Sequence, residues 1–343
     1  MAISYSKVDI RGKAVEPVFA ELLFMNESIA KGHVNFQDGI KADTIVTEAG
    51  MTVSMQAYSS GAPTASGGIG IYDKSLTPTK IMYYDEFDPE TLRSSRFNRD
   101  MAKGAWNLGS SEFENLVMTE YGGKIANDVE AKFWNNATAA TKTAVAALTA
   151  GTGQTSVGAA EQTLVAATTA GLFDGVVTTM IYNTPYQGAS AGVGGRVKVA
   201  GTTVSSSNIA TEYGKVYAAI PAKVLNGNSD EKPLIYAPYS HKQMINIYNV
   251  TATYRDLFSV TNLGQPTEKY FYNGVEIVFK PLAENVVICA NPSHIMWLTD
   301  LQADIASLTI DKIANNREDR FLKAIMTQYA WVVRQSMNVL YVG

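Results

Sequence analysis

The first 109 residues of this 343-residue chain obey different rules from the rest. Residues 1–109 read as an arm, a ribbon and short turns, with too little apolar periodicity to enclose a core of their own. From Ser111 onward a capped amphipathic pattern opens, and compact α+β patterning runs to Gly343. A chain with that much extended material requires neighbours to cover it.

Residues 1–45 mix short helical and extended signals. Pro17 to Asn26 fits a brief amphipathic turn with Val18, Leu22 and Leu23 on one side, and Gly12, Gly32 and Gly39 interrupt any longer element. Ordering such an arm costs at least ~45 kcal/mol of backbone entropy. Offsetting that by apolar burial alone takes on the order of 1,800 Å2. The scattered Val, Leu, Ile and Phe of the arm reach such an area only against another surface.

Residues 44–84 read as a long β-hairpin. The first strand starts at Thr44, Val46 and Thr47 and continues through Val53 and Met55; the second runs through Ile69, Ile71 and Tyr72 and resumes at Lys80–Tyr84. Between them, Ser59 to Gly68 (SSGAPTASGG) has the composition of a mobile tip. A two-stranded ribbon is marginal in water and has to rest on something.

A charge cluster follows. Asp88-Pro89 is a helix-start signal, Arg93, Arg96 and Arg99 recur every third residue, and Asp85, Glu86, Asp88 and Glu90 lie upstream. Two readings stand: a solvated, self-compensating cluster, or ion pairs between subunits. A phosphate site fails because the carboxylates repel the ligand. The interface residues expected from this region are Glu86, Asp88, Arg93, Arg96 and Arg99. Ser59, Gly61 and Gly68 of the hairpin tip are expected to reach across to a neighbour.

The long helix is the clearest element. Ser111 and Glu114 form a capping box, and Phe113, Val117, Tyr121, Ile125, Val129 and Phe133 recur every fourth residue. Gly122 and Gly123 predict a bend or a close backbone approach in mid-helix. Residues 137–207 turn to Ala, Thr, Gly and Ser; the part through Ala150 fits an extension of the helix, and that from Gly188 a glycine-rich loop and short ribbon. Asn208 then predicts the cap of a helix carrying Ile209, Tyr213, Val216, Tyr217 and Ile220. Pro233–Ala237 reads as a strand, and Ser240 with Gln243 as a second capping box ahead of Met244, Ile245, Ile247 and Tyr248. Strands are expected at 275–279, 286–290, 295–298, 307–310, 321–333 and 338–342.

Reactive chemistry is missing. The net charge is −4, and charged residues make up 17%, against about 25% in an ordinary domain. A basic nucleic-acid footprint is therefore absent, and a surface so poor in charge suits one largely covered by other subunits. The single cysteine, Cys289, lies in an apolar strand and reads as a buried, inert thiol. His33, His241 and His294 have no metal-ligand spacing. Gly188-Ala189-Ser190-Ala191-Gly192 spells a nucleophile elbow, but no strong strand precedes it and no helix follows. The glycine-rich stretches lack the G-K-[ST] ending of a phosphate loop. The N-terminus carries no secretory signal and no run is long enough to span a membrane. These readings imply a soluble, cytoplasmically made protein that is not an enzyme, with no cofactor and no metal.

The order of elements—arm, hairpin with a Gly/Ser tip, long capped helix, inserted α/β unit, strand-rich C-terminal part—resembles the major capsid proteins of tailed bacteriophages, the Hong Kong 97-type fold. Lys80–Trp106 and Asn316–Gly343 are also similar to capsid segments of such phages. The resemblance implies an arm at 1–45, an extended loop at 46–95, a peripheral domain with its spine helix at 96–145, an axial domain at 146–295, and peripheral strands at 296–343. It implies a virion protein that assembles with itself, as pentamers and hexamers, into an icosahedral shell in the bacterial host cytoplasm. Non-specific contact with packaged double-stranded DNA and no membrane are expected. A portal, decoration proteins and a scaffolding protein are its implied partners, and a chain beginning at Met1 without a helical prodomain points to a separate scaffold. The competing readings are an encapsulin-like nanocompartment, a tube or sheath subunit, and an enzyme hidden in the middle of the chain.

Overall fold

The computed structural model describes residues 27–40, 43–58, 60–61, 64, 67–88, 111–183, 194–225, 232–251, 257–262, 268–300, 309–313 and 319–343. The helices among them are α1 (Glu27–Ala30), α2 (Ser111–Asn135), α3 (Ala139–Ala146), α4 (Ala159–Ala167), α5 (Val176–Ile181), α6 (Ile209–Ala219), α7 (Ala222–Leu225) and α8 (Tyr239–Thr251). The strands of the leading part are β1 (Asn35–Gln37), β2 (Thr44–Thr52), β3 (Gly68–Leu76) and β4 (Thr79–Phe87), followed by β5 (Ala137–Thr138), β6 (Ala170–Gly171) and β7 (Val197–Ala200). The rest are β8 (Leu234–Pro238), β9 (Phe258–Thr261), β10 (Lys269–Tyr272), β11 (Val275–Lys280), β12 (Val286–Ala290), β13 (Ile295–Leu298), β14 (Thr309–Lys312), β15 (Arg320–Val332) and β16 (Val339–Val342).

Two sheets organise the molecule. Seven strands run in the order β7-β16-β12-β8-β11-β10-β9. A strand covered on both faces needs apolar residues at consecutive positions, and β12, with the sequence VVICA, is buried throughout. Val286, Ile288 and Ala290 face one core together with Leu340 and Val342. Val287 and Cys289 face a second core with Val339 and Tyr341, closed by Ile209, Tyr213 and Val216 of α6 and Ile245 of α8. Burial pushes the Cys289 thiol up to about 12, so it is inert at neutral pH. The β10–β11 turn is Asn273-Gly274, both at positive φ (46° and 81°), the conformation a two-residue hairpin requires.

The second sheet runs β1-β13-β15-β14, with β4 also paired to β15 over nine residues, from Arg320↔Phe87 to Gln328↔Thr79. Its inner face lies on α2. The four-residue spacing places Ile125, Val129 and Phe133 in the core. The Phe133 ring stacks on Trp297 of β13 (centroids 3.9 Å apart), and Trp134 lies 5.1 Å from Tyr236 of β8. Tyr83 Oη donates to Asp128 Oδ2 at 2.7 Å, and Gln328 Nε2 donates to the Val129 carbonyl at 3.2 Å.

Several expectations change. The long helix ends at Asn135 instead of running on to Ala150: β5 intervenes and α3 begins as a separate helix, capped by Thr138. A close approach lies beyond the helix end; at Gly123 a Cβ would meet open space, while Gly122 is buried. That approach occurs at Gly175, where a Cβ would stand 2.6–2.9 Å from the Asn136 nitrogen and the Phe133 and Lys132 carbonyls. Any larger residue there would push α5 off the end of α2. Residues 79–87 do not prolong the hairpin; they form β4 on the body, because Ile81 and Tyr83 alternate toward α2. Asn208 does sit at the N-cap of α6, but its Oδ1 turns back to accept from Ser205 and caps no helical amide. The second capping box fails because α8 already opens at Tyr239, placing Ser240 inside the helix. On that helix Ile247 points to solvent. The Ser111 and Glu114 side chains, the arm turn at 17–26 and the 188–192 motif lie outside the described residues.

The stretch expected to be peripheral, 296–343, is shared between the sheets: β15 belongs to the five-stranded one and β16 to the seven-stranded one. The leading residues are also less homeless than the sequence suggests. β1 pairs in parallel with β13, and β4 with β15.

Candidate assembly surfaces

The β2–β3 ribbon is two-faced, and its register fixes which residues share a face. Opposed residues of an antiparallel pair project to the same side. Thr44↔Leu76, Val46↔Lys74 and Glu48 make one face, and Ile45↔Ser75, Thr47↔Asp73 and the alternate residues Ile69 and Ile71 make the other. The first face rests on the body. Leu76 is fully buried against Met296, Leu298 and Trp331, with Val46 beside them. Lys74 Nζ lies 5.6 Å from the centre of the Trp331 ring, within cation–π range. Glu48 Oε1 accepts from the Arg334 amide at 2.6 Å, and that amide belongs to a left-handed residue (φ 47°). A polar cleft of about 340 Å3 opens at this root, lined by Thr47, Glu48, Ser293, His294, Val333 and Arg334.

The second face points away from the body. Ile45, Ile69 and Ile71 are 66%, 74% and 68% exposed. Past the end of β2 the chain loses strand geometry, so Val53 and Met55, expected within the strand, stand almost fully in solvent together with Tyr58. Ile69 and Ile71 form an exposed apolar pair on one side of a thin ribbon, parted from Ile45 by the hydrogen-bonded Thr47–Asp73 pair, and such side chains suit a surface that another molecule covers.

A second apolar surface lies on the outer face of β4 and β15. Met82 and Tyr84 alternate outward and oppose Ile325 and Lys323, Tyr84 stacks on Phe321 (5.8 Å, 24°), and Met82, Tyr84 and Ile325 are exposed. Glu86 continues this face at the strand end, where its Oε1 accepts from Tyr84 Oη at 2.7 Å. Asp88 follows directly after β4 and is exposed. The structure thus brings Glu86 and Asp88 together on one edge. Gly61 lies exposed in the tip and Gly68 opens β3 in open space. Ser59, Arg93, Arg96 and Arg99 lie outside the described residues. The sequence reading missed the outward stripe of Ile45, Ile69 and Ile71. Its signal was the strict alternation in Ile69-Gly70-Ile71, which assigns both isoleucines to one side.

Buried charges serve the fold. Arg196 reaches both Glu161 oxygens through Nη2 at 2.5 Å, with Lys198 Nζ 3.8 Å from Oε2. Lys280 Nζ lies 3.4 Å from Glu130 Oε1; burial lowers the Lys280 pKa, and Glu130 opposes that shift. His241, expected to be no ligand, hydrogen-bonds Tyr213 Oη at 3.0 Å, and burial holds its ring down to about 4. Among the described residues no group of three His, Cys, Asp or Glu is placed to hold a metal, and no helix is long and apolar enough to cross a membrane.

No protein-family model and no curated protein sequence matches the chain. Solved structures do. A chain of the satellite phage P4 procapsid, which includes the size determination (Sid) protein, matches at TM-score 0.54 and 9% identity, covering 98% of this chain and 93% of that one. A chain of the native GTA particle capsid matches at TM-score 0.54 and 12% identity, over 100% and 95% of the two chains. The empty GTA capsid gives 0.54 and 11%, over 99% and 95%. The chain therefore has the fold found in these capsids.

Proposed function

We propose that this chain is a major capsid protein of the Hong Kong 97 type, a structural and non-enzymatic subunit that self-assembles into the icosahedral head shell around phage double-stranded DNA. The observation that carries the reading is the likeness to capsid chains over nearly their full length. The ribbon adds a mechanism of mutual covering. Its outward isoleucines lie over an adjacent copy, for which the apolar outer face of β4 and β15 has matching character. Covering three isoleucines that are each about two-thirds exposed stabilises one contact by roughly 3 to 6 kcal/mol. Many such modest contacts per subunit make a shell durable.

In this reading residues 1–45 are the arm, 46–95 the extended loop, α2 within 96–145 the spine, 146–295 the axial domain and 296–343 the returning peripheral strands. Glu86 and Asp88, with Arg93, Arg96 and Arg99, make ion pairs between subunits, and Ser59, Gly61 and Gly68 shape the reaching tip. A net charge of −4 suits a wall that confines DNA without gripping it. Pentamers and hexamers, a separate scaffolding protein, a portal and decoration proteins complete the picture, with assembly in the host cytoplasm and residence in the virion. The test is electron microscopy of the expressed protein, alone and with candidate scaffolding proteins. Closed particles are expected, and packaged DNA in place of an enzyme cargo separates a phage head from a nanocompartment. Stable monomers under every condition would overturn the reading.

A further inference from the structure

We infer that residues 27–40 form an acid-released clasp, with the His33 ring as its trigger. The inference goes beyond the shell reading and does not depend on it. The clasp is small: one turn of helix α1 and the three-residue strand β1, paired with β13 from Asn35↔Met296 to Gln37↔Leu298. Elements this short have no independent stability, so their tertiary anchors hold them.

Those anchors converge on Glu130 of α2. The fully buried Ser28 donates its hydroxyl to Glu130 Oε1, and the Glu27 amide donates to Oε2 at 3.3 Å. Trp134 Nε1 donates to Ser28 Oγ at 3.3 Å. His33 locks the other side of the turn: its amide donates to the Ser28 carbonyl at 2.9 Å, and its own carbonyl accepts from Tyr236 Oη of β8 at 2.6 Å.

The His33 ring is poorly placed to carry charge. Its Nδ1 is buried with no hydrogen-bond partner among the described residues. The charged groups facing it are Glu27 and Lys31 of its own segment, Lys280 of β11 and Lys269 of β10. Three of these four are cations. Glu27 is already engaged by Lys31 at 2.5 Å, and Glu130 by Lys280. A neutral ring tolerates the site, since a lone pair without a donor costs less than a charge. A protonated ring would bury an N–H without an acceptor beside Lys280. Burial first, and then Lys280, hold the ring down to about 4. The sign follows directly. A histidine whose pKa is depressed by folding favours the closed clasp fully above pH 6.5, and the advantage drains away as pH falls toward 4. The cheapest relief is for the turn at 31–34 to swing out. That breaks both His33 backbone bonds, frees β1 and opens the edge of β13.

The test is amide hydrogen exchange of the full chain between pH 7 and 4.5, corrected for intrinsic rates. Amides of 33–40 should exchange roughly tenfold to a hundredfold faster at pH 4.5, through an opening of lower free energy than the global one that exposes β8 and β12. His33→Gln should flatten that dependence. If His33→Gln keeps the wild-type profile, another group is the trigger and the inference is wrong; a flat wild-type profile, or exchange of 33–40 only through the same opening that exposes β8, also overturns it. If the variant does not fold, the ring resonance of His33 in the wild type decides. Titration coincident with clasp opening supports the inference, and titration near pH 6.5 without opening refutes it.

Discussion

The seven-stranded sheet carries apolar residues at consecutive positions in its central strands and the β2–β3 ribbon carries them at alternate ones, and the two solve burial in opposite ways. The sheet draws its cover from its own chain. β12 and β16 find a core on each side, and few of their atoms reach water. The ribbon covers one face on Leu76, Val46 and Lys74 and leaves Ile45, Ile69 and Ile71 outside. Continuous apolar runs thus accompany a closed domain whose partners come from the same polypeptide, and alternation accompanies a surface left open on one side. The ribbon's stability in isolation comes from its root, and its outer side is held in reserve for another molecule.

Four experiments can break or sharpen that contrast. Trp297→Ala removes the ring that stacks on Phe133 between sheet and long helix. It should cost about 3–5 kcal/mol in denaturant unfolding, and a loss under 1 kcal/mol would mean that the body is not held by this core. Glu161→Gln leaves Arg196 buried without its carboxylate partner, for about 3 kcal/mol; an unchanged midpoint would show that Arg196 finds water on its own. His241 provides a pH signature. Its depressed pKa makes folded stability greatest above pH 6.5 and lowers it as pH falls to about 4, with a slope of up to about 1.4 kcal/mol per pH unit. Replacement by Phe, compared by unfolding at pH 7 and pH 5, should remove this contribution and leave that of His33. Last, Ile45→Ser, Ile69→Ser and Ile71→Ser together should shift the stability of the isolated subunit by only about 0.5 kcal/mol per site and yet abolish closed particles in micrographs. A large loss of subunit stability would place those side chains in an internal core and erase the contrast.

Much of the body could be read from residue order. The four-residue stripe of α2, the all-apolar run of β12 and the alternation along β15 each have one physical solution, and the structure adopts it. Misreadings arose where local rules were outvoted by contacts far along the chain. Lys80–Tyr84 has strand character, but only β15, some 240 residues later, decides that it lies on the body. Val53 and Met55 look like strand residues because β-propensity is a property of side chains, while pairing needs a partner. The anchoring of Ser28 by Glu130 was invisible, because one serine and one glutamate separated by 102 residues leave no pattern. At the candidate interface, Glu86 and Asp88 were legible as charges on an edge, whereas the apolar stripe beside them required the register.

One strand sets the timetable of synthesis. β16 is inserted between β7 and β12, so Val197–Ala200, bonded on its other edge by the Gln154 side chain, has no strand to pair with until Val339–Val342 has left the ribosome. At ordinary elongation speeds that interval is on the order of ten seconds. During it, an unsatisfied sheet edge waits in a crowded cell, and a helper that shields nascent β7 would raise the yield of correctly folded subunits.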